Sequence, residues 1–394
     1  MQLVERHIRI NDKAIEALCV KAKNLYNQSL YYLRQATFGK IQHFTEYELS
    51  SLFAEFNQED YRALPAQTSQ QVIKQVFKNY KSWYRARAEW EKNSSKFSGR
   101  PKLPKYKKVT SEVIFTGQQL KLKDGYIHFP KMTNLQPLKT KVDNICQVRI
   151  IPQATCFVIE VVYNKEEVKN GNLKKENVLS VDLGLNNLAT CVNNVGKQPF
   201  IINGKIIKSV NQMYNKTKAK LMSYVGDRGT SNRIKKLTFY RNNFIEDKLH
   251  KTSRFIVNYC LENEIGTIII GYNKQWKDEI NIGKVNNQKF VFIPHSKLID
   301  KITYKAKLVG IEVIEQEENY TSKCDSLALE LICKHEVYSG KRMTRGLFQS
   351  SVGKLINADV NGAINIARKV IGDYFAMSII NSGFVFNPIK LNII

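Results

Sequence analysis

The sequence predicts three architectures in one chain: an all-α part, a small all-β part and, beyond them, an α/β domain. Three observations predict this. Apolar residues between Asn11 and Trp90 recur at helical spacing. From Ser111 to Val162 they alternate in short runs divided by turns. After Asn177, buried strand-like runs are separated by long helical stretches. A chain of 394 residues has room for about two or three such domains, each with its own core.

The opening MQLVERHIRI alternates as a strand does. From Asn11 to Gln35 the chain turns helical, with Ile15, Leu18, Ala22, Leu25, Tyr26, Ser29, Leu30 and Leu33 on one face. A second helix is expected from Thr68, as N-cap, to Trp90, with Val72, Val76, Tyr80 and Trp83 facing inward. Gly99, Pro101 and Pro104 end regular structure in NSSKFSGRPKLPKYKK. The runs SEVIFTG, LKLKDGYIHFP, CQVRIIP and TCFVIEVVY then suggest a small antiparallel barrel, and Asn164–Glu176 a linker. NVLSVDLG, LATCVNN and QPFIING make three consecutive strands. Gln212–Glu264 reads as two antiparallel helices broken at Gly226–Gly229. TIIIGYN is a strand, Pro294–Leu308 a helix, GIEVIEQEEN a strand and Asp359–Ile371 the closing helix. Three strands, helix, strand, helix, strand is the connectivity of an RNase H-type sheet.

Charge points to the partner. The 61 basic residues against 35 acidic ones give a net charge of +26, a field that attracts phosphate. Lys74, Lys78, Lys81 and Arg85 recur at helical spacing and place four cations on one face. Between Lys74 and Lys108 there are twelve basic and two acidic residues, where an ordinary solvated face mixes signs. Arg100, Lys102, Lys105, Lys107 and Lys108 extend the positive tract into the loop, beside Tyr106, a candidate to stack on a base. Seven scattered cysteines and no apolar run near the roughly 20 residues of a membrane span lead us to expect a reduced, cytoplasmic protein.

The candidate chemistry lies in carboxylates. Asp182 follows an apolar strand run and precedes a glycine turn; Asp359 opens an amphipathic helix. Two divalent ions held by carboxylates roughly 3.5–4 Å apart catalyse phosphodiester cleavage. In an RNase H-type sheet the first strand is central, and the fourth, beside it, normally carries the next carboxylate. Here the fourth strand is Thr267–Ile270 and its tip is Gly271, which has none. The fifth strand, Ile311–Gln316, pairs with the fourth about 4.8 Å further across and ends in Glu317 and Glu318. Successive side chains face opposite ways, so one of the two points to the metals. Glu318 is the expected replacement, with Glu317 second and Glu279, in the loop after the fourth strand, third.

VDLGLNN, the helix ending EDKLHKTSRFIVNYC, TSK after a strand, INADVNGAINIARK and GRPKLPKYKK together resemble the TnpB family. These are transposon-encoded RNA-guided nucleases related to type V CRISPR effectors and Fanzor proteins. The resemblance implies a helical recognition domain over 11–95 and a wedge-like β-barrel over 1–10 and 96–170. It further implies a RuvC-like nuclease domain over 175–323 and 355–375. A target-nucleic-acid-binding module is inserted at 324–354, and 376–394 is left as a tail. Asp182 matches the family's first catalytic aspartate and Asp359 its last. Where the family carries its middle glutamate this chain has Gly271, and Glu318, three residues before Thr321, fits the displaced position of Fanzor proteins and some TnpB relatives. Of the family's two CxxC pairs only Cys324, Cys333 and His335 remain, so no structural zinc is expected. The module is expected to be a hairpin whose Lys341, Arg342 and Arg345 touch phosphate.

The expected activity is magnesium-dependent (manganese as substitute), RNA-guided cleavage of double-stranded DNA next to a short adjacent motif. Asp182, Glu318 and Asp359 would act as both catalytic residues and metal ligands. The rival is a nuclease-dead, RNA-guided DNA-binding repressor whose site was lost at Gly271. A guide-free basic nuclease would explain the carboxylates and leave the size of the basic N-terminal part unexplained.

Overall fold

The computed structural model describes residues 1–168, 170–226, 229–272 and 294–393. Its internal contacts divide these into two compact units, Met1–Lys165 and Glu166–Ile394, with the boundary inside the segment expected to be a linker.

In the first unit, β1 (Gln2–Arg9) leads into α1 (Lys13–Thr37). The carboxylate of Asp12 caps α1 by accepting from the Ile15 amide at 3.1 Å. Two short helices follow that the apolar period did not reveal, α2 (Glu46–Glu55) and α3 (Glu59–Arg62). The start of α2 carries a local signal, a capping box in which Thr45 and Glu48 satisfy each other's backbone amides. The long basic helix α4 runs over Ala66–Lys92. Its N-cap is Pro65, whose fixed φ suits helix entry, and the expected cap Thr68 is buried inside the first turn.

The strands that follow are β2 (Val113–Thr116), β3 (Lys121–Lys123), β4 (Tyr126–His128), β5 (Leu138–Lys139), β6 (Ile145–Pro152) and β7 (Phe157–Asn164). They form two open antiparallel sheets, ordered β1-β7-β6-β2 and β3-β4-β5, in place of the expected barrel. Alternation along a strand fixes which face is buried and leaves its partner open, so a closed sheet was not determined by the pattern. One hydrophobic cluster joins Ile15, Leu25, Ile73 and Val76 of the helices to Phe115, Val148 and Val161 of the strands. The helical and β parts, expected as two domains, therefore share a core.

The second unit is built on one six-stranded sheet. In chain order its elements are β8 (Lys174–Leu183), β9 (Asn187–Asn193), β10 (Phe200–Asn203), α5 (Lys205–Val225), α6 (Asn232–Glu262) and β11 (Ile265–Tyr272). After residue 293 come α7 (His295–Leu308) and β12 (Glu312–Glu317). Next is a small antiparallel sheet of β13 (Lys341–Thr344), β14 (Leu347–Gln349) and β15 (Leu355–Asn357). The chain then forms α8 (Ala358–Ile371), α9 (Tyr374–Ser382) and β16 (Ile389–Leu391). The strand order is β12-β11-β8-β9-β10-β16. β9 is antiparallel to β8 and β10, whereas β11 and β12 run parallel to β8. The order places β11 beside β8 and β12 beside β11, as the connectivity read from the sequence expected.

Two of its expectations needed correction. Helix α5 starts at Lys205 and not near Gln212, because Gly204 makes the turn: a Cβ there would sit 2.6 Å from the Leu185 carbonyl. The segment expected to be a tail, 376–394, contains most of α9 and an edge strand, β16, parallel to β10. Three-residue strands carry too little alternation to be seen in sequence.

The central strand is buried on both faces, as a parallel sheet between helices requires. Leu179, Val181, Ile268 and Ile270 pack against Leu249, Ile256, Leu298 and Ile302 on one side. Val178, Val192 and Ile269 meet Val360, Ala363, Ile364 and Ala367 on the other. Each such side chain contributes about 1.5–3 kcal/mol on burial. This packing fixes where β8, β12 and α8 end, and those ends carry the candidate site. Among the described residues no helix is long and apolar enough to cross a membrane.

Candidate carboxylate site

Asp182 lies at the C-terminal end of β8, level with Thr190 of β9. Helix α8 approaches it closely. The Ser180 hydroxyl donates to the Ala363 carbonyl at 2.6 Å, and a Cβ on Gly362 would come within 2.7 Å of Asp182 Oδ2. Glycine at 362 is thus a packing requirement of the aspartate.

Asp359 sits in the first turn of α8, where the unpaired amides favour negative charge. It does not cap the helix. Asn357 does, accepting from the amides of Asp359 and Val360 at 3.0 and 3.3 Å. The Asp359 carboxylate is left to accept from Asn187 Nδ2 at 2.6 Å and to face the Arg342 guanidinium at 3.7 Å.

Glu318 follows β12 directly, and the register pairs Gly271 with Gln316 and Tyr272 with Glu317. The two glutamates diverge as alternation requires. Glu317 is exposed, its carboxylate taken by Asn319 at 3.0 Å. Glu318 turns inward and lies over Gly271. A Cβ on residue 271 would collide with Glu318 Oε1 and would meet Glu318 Cγ at 2.8 Å and Ile366 Cδ1 at 2.5 Å. The glycine that lacks a carboxylate is the same one that makes room for the displaced carboxylate. The third-ranked expectation, Glu279, lies outside the described residues.

Asp182, Glu318 and Asp359 line one cavity of about 650 Å³, with Arg342, Arg345, Lys205 and Lys390 around it. The site carries more negative charge than its burial supports. Burial first, then the charges of Glu318 and Asp359, push the Asp182 carboxyl well above the usual range, with Arg342 opposing. Burial pushes Glu318 up to about 7, with Lys369 opposing. Glu318 Oε1 is buried and, among the described residues, has no hydrogen-bond partner. Among the described residues no three acidic, histidine or cysteine groups already stand close enough to cage an ion. Hard oxygen donors, one of them buried without a partner among the described residues, are a donor set that fits Mg²⁺ or Mn²⁺.

The predicted phosphate contacts divide into three groups. Lys74, Lys78, Lys81 and Arg85 are exposed on α4 and form no ion pair among the described residues. Arg100, Lys102, Lys105 and Lys108 are exposed in the following loop, and Arg100 lies over the Trp90 ring. Lys107 departs from the expectation. Its ammonium donates to Ser111 Oγ at 2.6 Å and lies 4.1 Å from the centre of the Tyr26 ring, and burial lowers its pKa. It holds the loop down and does not face outward. Tyr106 carries Arg34 on its ring at 5.0 Å. In the second unit Lys341 is exposed on β13, and Arg342 and Arg345 reach the carboxylate cavity.

The segment after TSK is organised around Asp325. Its carboxylate accepts from Ser350 Oγ and the Ser351 amide, both at 2.7 Å, and from the Leu327 and Ala328 amides. Asn361 and Asn365 of α8 bind the Cys324 carbonyl at 2.9 and 2.7 Å. The Cys333 sulfur lies 3.4 Å from His335 Nε2, and the Cys324 thiol points to the Cys333 carbonyl. Sequence reasoning missed Asn187, Lys205 and Lys390 at the cavity. Asn187 stands in the VDLGLNN motif, while the two lysines belong to no pattern.

Two family models match the chain and between them take in all three carboxylates. A probable transposase family, OrfB of the IS605 type, matches residues 160–277. A Cas12f1-like TNB domain matches residues 295–366. The chain is 32% identical over 159 residues to the CRISPR-associated endodeoxyribonuclease Cas12f1 of Sulfoacidibacillus thermotolerans, covering 39% of this chain and 35% of that protein. It is 26% identical to the TnpB-like protein ORF457 of Acidianus two-tailed virus, covering 53% of this chain and 45% of that protein. Among solved structures it aligns with a cryo-EM Cas12f1–sgRNA–target DNA complex over 90% of this chain and 81% of that one, at 15% identity and a TM-score of 0.48. The chain spans 35% to 47% of the length of the curated relatives it matches. The two family models and the two named relatives bear out the resemblance carried by the motifs. The chain is a relative of the TnpB and Cas12f proteins.

Proposed function

We propose that the chain is an RNA-guided, Mg²⁺-dependent DNA endonuclease of a transposable element, working in the bacterial cytoplasm at the nucleoid. The observation that carries this reading is the cavity itself: three carboxylates on three elements, two of them pushed up by burial, with arginines and lysines around them. The relatives, an endodeoxyribonuclease and a TnpB-like protein, support it. The second unit is then RuvC-like, and the first supplies the recognition and wedge parts that grip guide RNA and read the short motif beside the target.

In this mechanism Asp182, Glu318 and Asp359 hold two Mg²⁺, or Mn²⁺ in their place. Bound divalent ions supply charge neutralisation at the phosphate and a water of lowered pKa. Asn187 keeps Asp359 oriented by its hydrogen bond. Arg342 and Arg345 bind the phosphates of the strand to be cut, with Lys341 extending that contact, and segment 324–354 does this without a structural zinc.

One observation favours a second reading. Gly271 removes the carboxylate from the strand beside β8, and if Glu318 does not replace it the protein is an RNA-guided DNA-binding repressor. Protein co-purified with its RNA is to be incubated with a matched supercoiled plasmid, with and without Mg²⁺. The nuclease reading expects Mg²⁺-dependent linearisation that Asp182→Ala and Asp359→Ala abolish while guided binding survives. Binding without nicking by the parent protein would establish the repressor, and loss of binding in both variants would make these residues structural.

A further inference from the structure

Helix α4 carries more than cations. Phe77, Tyr80, Lys81, Tyr84 and Arg85 stand at i, i+3, i+4, i+7 and i+8, so three aromatic rings and two cations share one stripe. With Leu33 and Phe44 they line a cavity of about 360 Å³, in the range of roughly 300–1,000 Å³ that accepts small ligands. Tyr84 is 47% exposed, yet its ring is held. It packs on Trp83 with ring centres 4.6 Å apart, and the Trp83 indole N–H donates to the Pro101 carbonyl at 3.2 Å. Tyr80 lines the same cavity, and its buried hydroxyl has Thr37 as its polar neighbour there. A rigid aromatic platform, polar hydroxyls inside the cavity and two outward cations are the elements of a base-stacking site.

We infer that this cavity receives one unstacked base of the RNA, with the flanking phosphates on Lys81 and Arg85. RNA is the occupant because its loops and bulges present unpaired bases, whereas duplex DNA keeps its bases stacked and offers phosphate alone. The charge at the rim argues in the same direction, since an apolar peptide or a second copy of this basic chain would meet Lys81 and Arg85 without compensation. The inference rests on the reading of α4 as an RNA-binding face and adds what the stripe alone does not provide, a contact that salt does not screen.

The two contributions separate experimentally. The probe is a single-stranded oligoadenylate carrying 2-aminopurine, with an abasic version, duplex DNA and single-stranded DNA as comparisons. Tyr84→Ala, at an exposed position that leaves the core intact, is expected to weaken oligoadenylate binding roughly five- to 150-fold, the affinity one stacked base supplies. The salt slope should not change, because no cation is lost. Tyr84→Phe should bind as the parent does and preserve the 2-aminopurine quench. On the abasic probe Tyr84→Ala should cost nothing further. Unchanged affinity and quench in Tyr84→Ala, while Lys78→Gln still reduces the slope, overturns the pocket and leaves the RNA-binding face standing. A parent protein that binds no RNA, or a slope indifferent to Lys78→Gln, overturns the underlying face as well. A change of oligomeric state in Tyr84→Ala without loss of RNA binding assigns the cavity to self-association, and single-stranded DNA binding more tightly than RNA assigns it to the target strand.

Discussion

Replacing Gly271 with alanine tests how the displaced glutamate is seated. The added methyl would sit 2.5 Å from Ile366 Cδ1 and 2.8 Å from Glu318 Cγ, and would collide with Glu318 Oε1. Ordinary Gly→Ala exchange stabilises by about 0.4–1 kcal/mol through the unfolded chain. Overpacking a close-fitted site costs about 1–3 kcal/mol. The net expectation is a loss of about 0.5–2 kcal/mol, a fall in Tm of a few degrees for a unit of this size. The collision should also push the Glu318 carboxylate from its place and reduce cleavage. The assay is a double-mutant cycle by thermal denaturation with Glu318→Ala, which removes the colliding Cγ and Oε1. Gly271→Ala should then cost about 1 kcal/mol less than in the parent. Additive effects, or a Gly271→Ala protein as stable and active as the parent, would refute the seating of Glu318 over residue 271.

Two further expectations concern charge. In metal-free buffer, burial holds the folded Glu318 carboxyl at about 7 against an ordinary 4.5, so the folded state binds the proton more tightly. The stability cost of ionising it is absent below about 4.5 and grows as pH rises to 7, reaching on the order of 3 kcal/mol. Glu318→Gln should therefore flatten the loss of stability between pH 5 and pH 8 in chemical denaturation, and an unchanged slope would contradict the burial. Lys107→Gln should destabilise the protein by about 1–3 kcal/mol and leave the salt slope of RNA binding alone. Lys78→Gln should do the reverse, reducing the slope by about 0.7–0.9, as read in filter-binding titrations.

Much of the α/β unit is legible in the sequence because its signals are local. The buried run ending at Asp182 and the helical period after Asp359 each define their element, and the order of elements restricts the sheet to very few topologies. Strand alternation allowed only one of Glu317 and Glu318 to face the site and the spacing to Thr321 in the resemblance favoured Glu318; the structure turns Glu318 inward and leaves Glu317 exposed. What was not legible depends on contacts distant in the chain. Nothing in GRPKLPKYKK marks Lys107, alone among its neighbours, as the lysine folded onto Tyr26. Nothing near Lys390 indicates that a three-residue strand pairs with β10 and carries that side chain to the carboxylate cavity. The strands of the first unit were visible singly, but their pairing into two sheets is decided by packing against α1 and α4. The space above Gly271 is of the same kind: the sequence has the missing carboxylate, and only the fold has the glutamate lying in its place.

The central claim is that Glu318 completes a cleaving site with Asp182 and Asp359. The most direct measurement is the single-turnover rate of matched-plasmid cleavage in Mg²⁺ for the parent, Glu318→Gln and Glu317→Gln, each co-purified with the same RNA. Glu318→Gln keeps the shape of the side chain and removes the charge that would balance the ions. The account predicts a fall of roughly a hundredfold or more with guided DNA binding unchanged, and a Glu317→Gln rate close to that of the parent. Equal rates for the parent and Glu318→Gln, or no cleavage by the parent under conditions where it binds the matched plasmid, would contradict it.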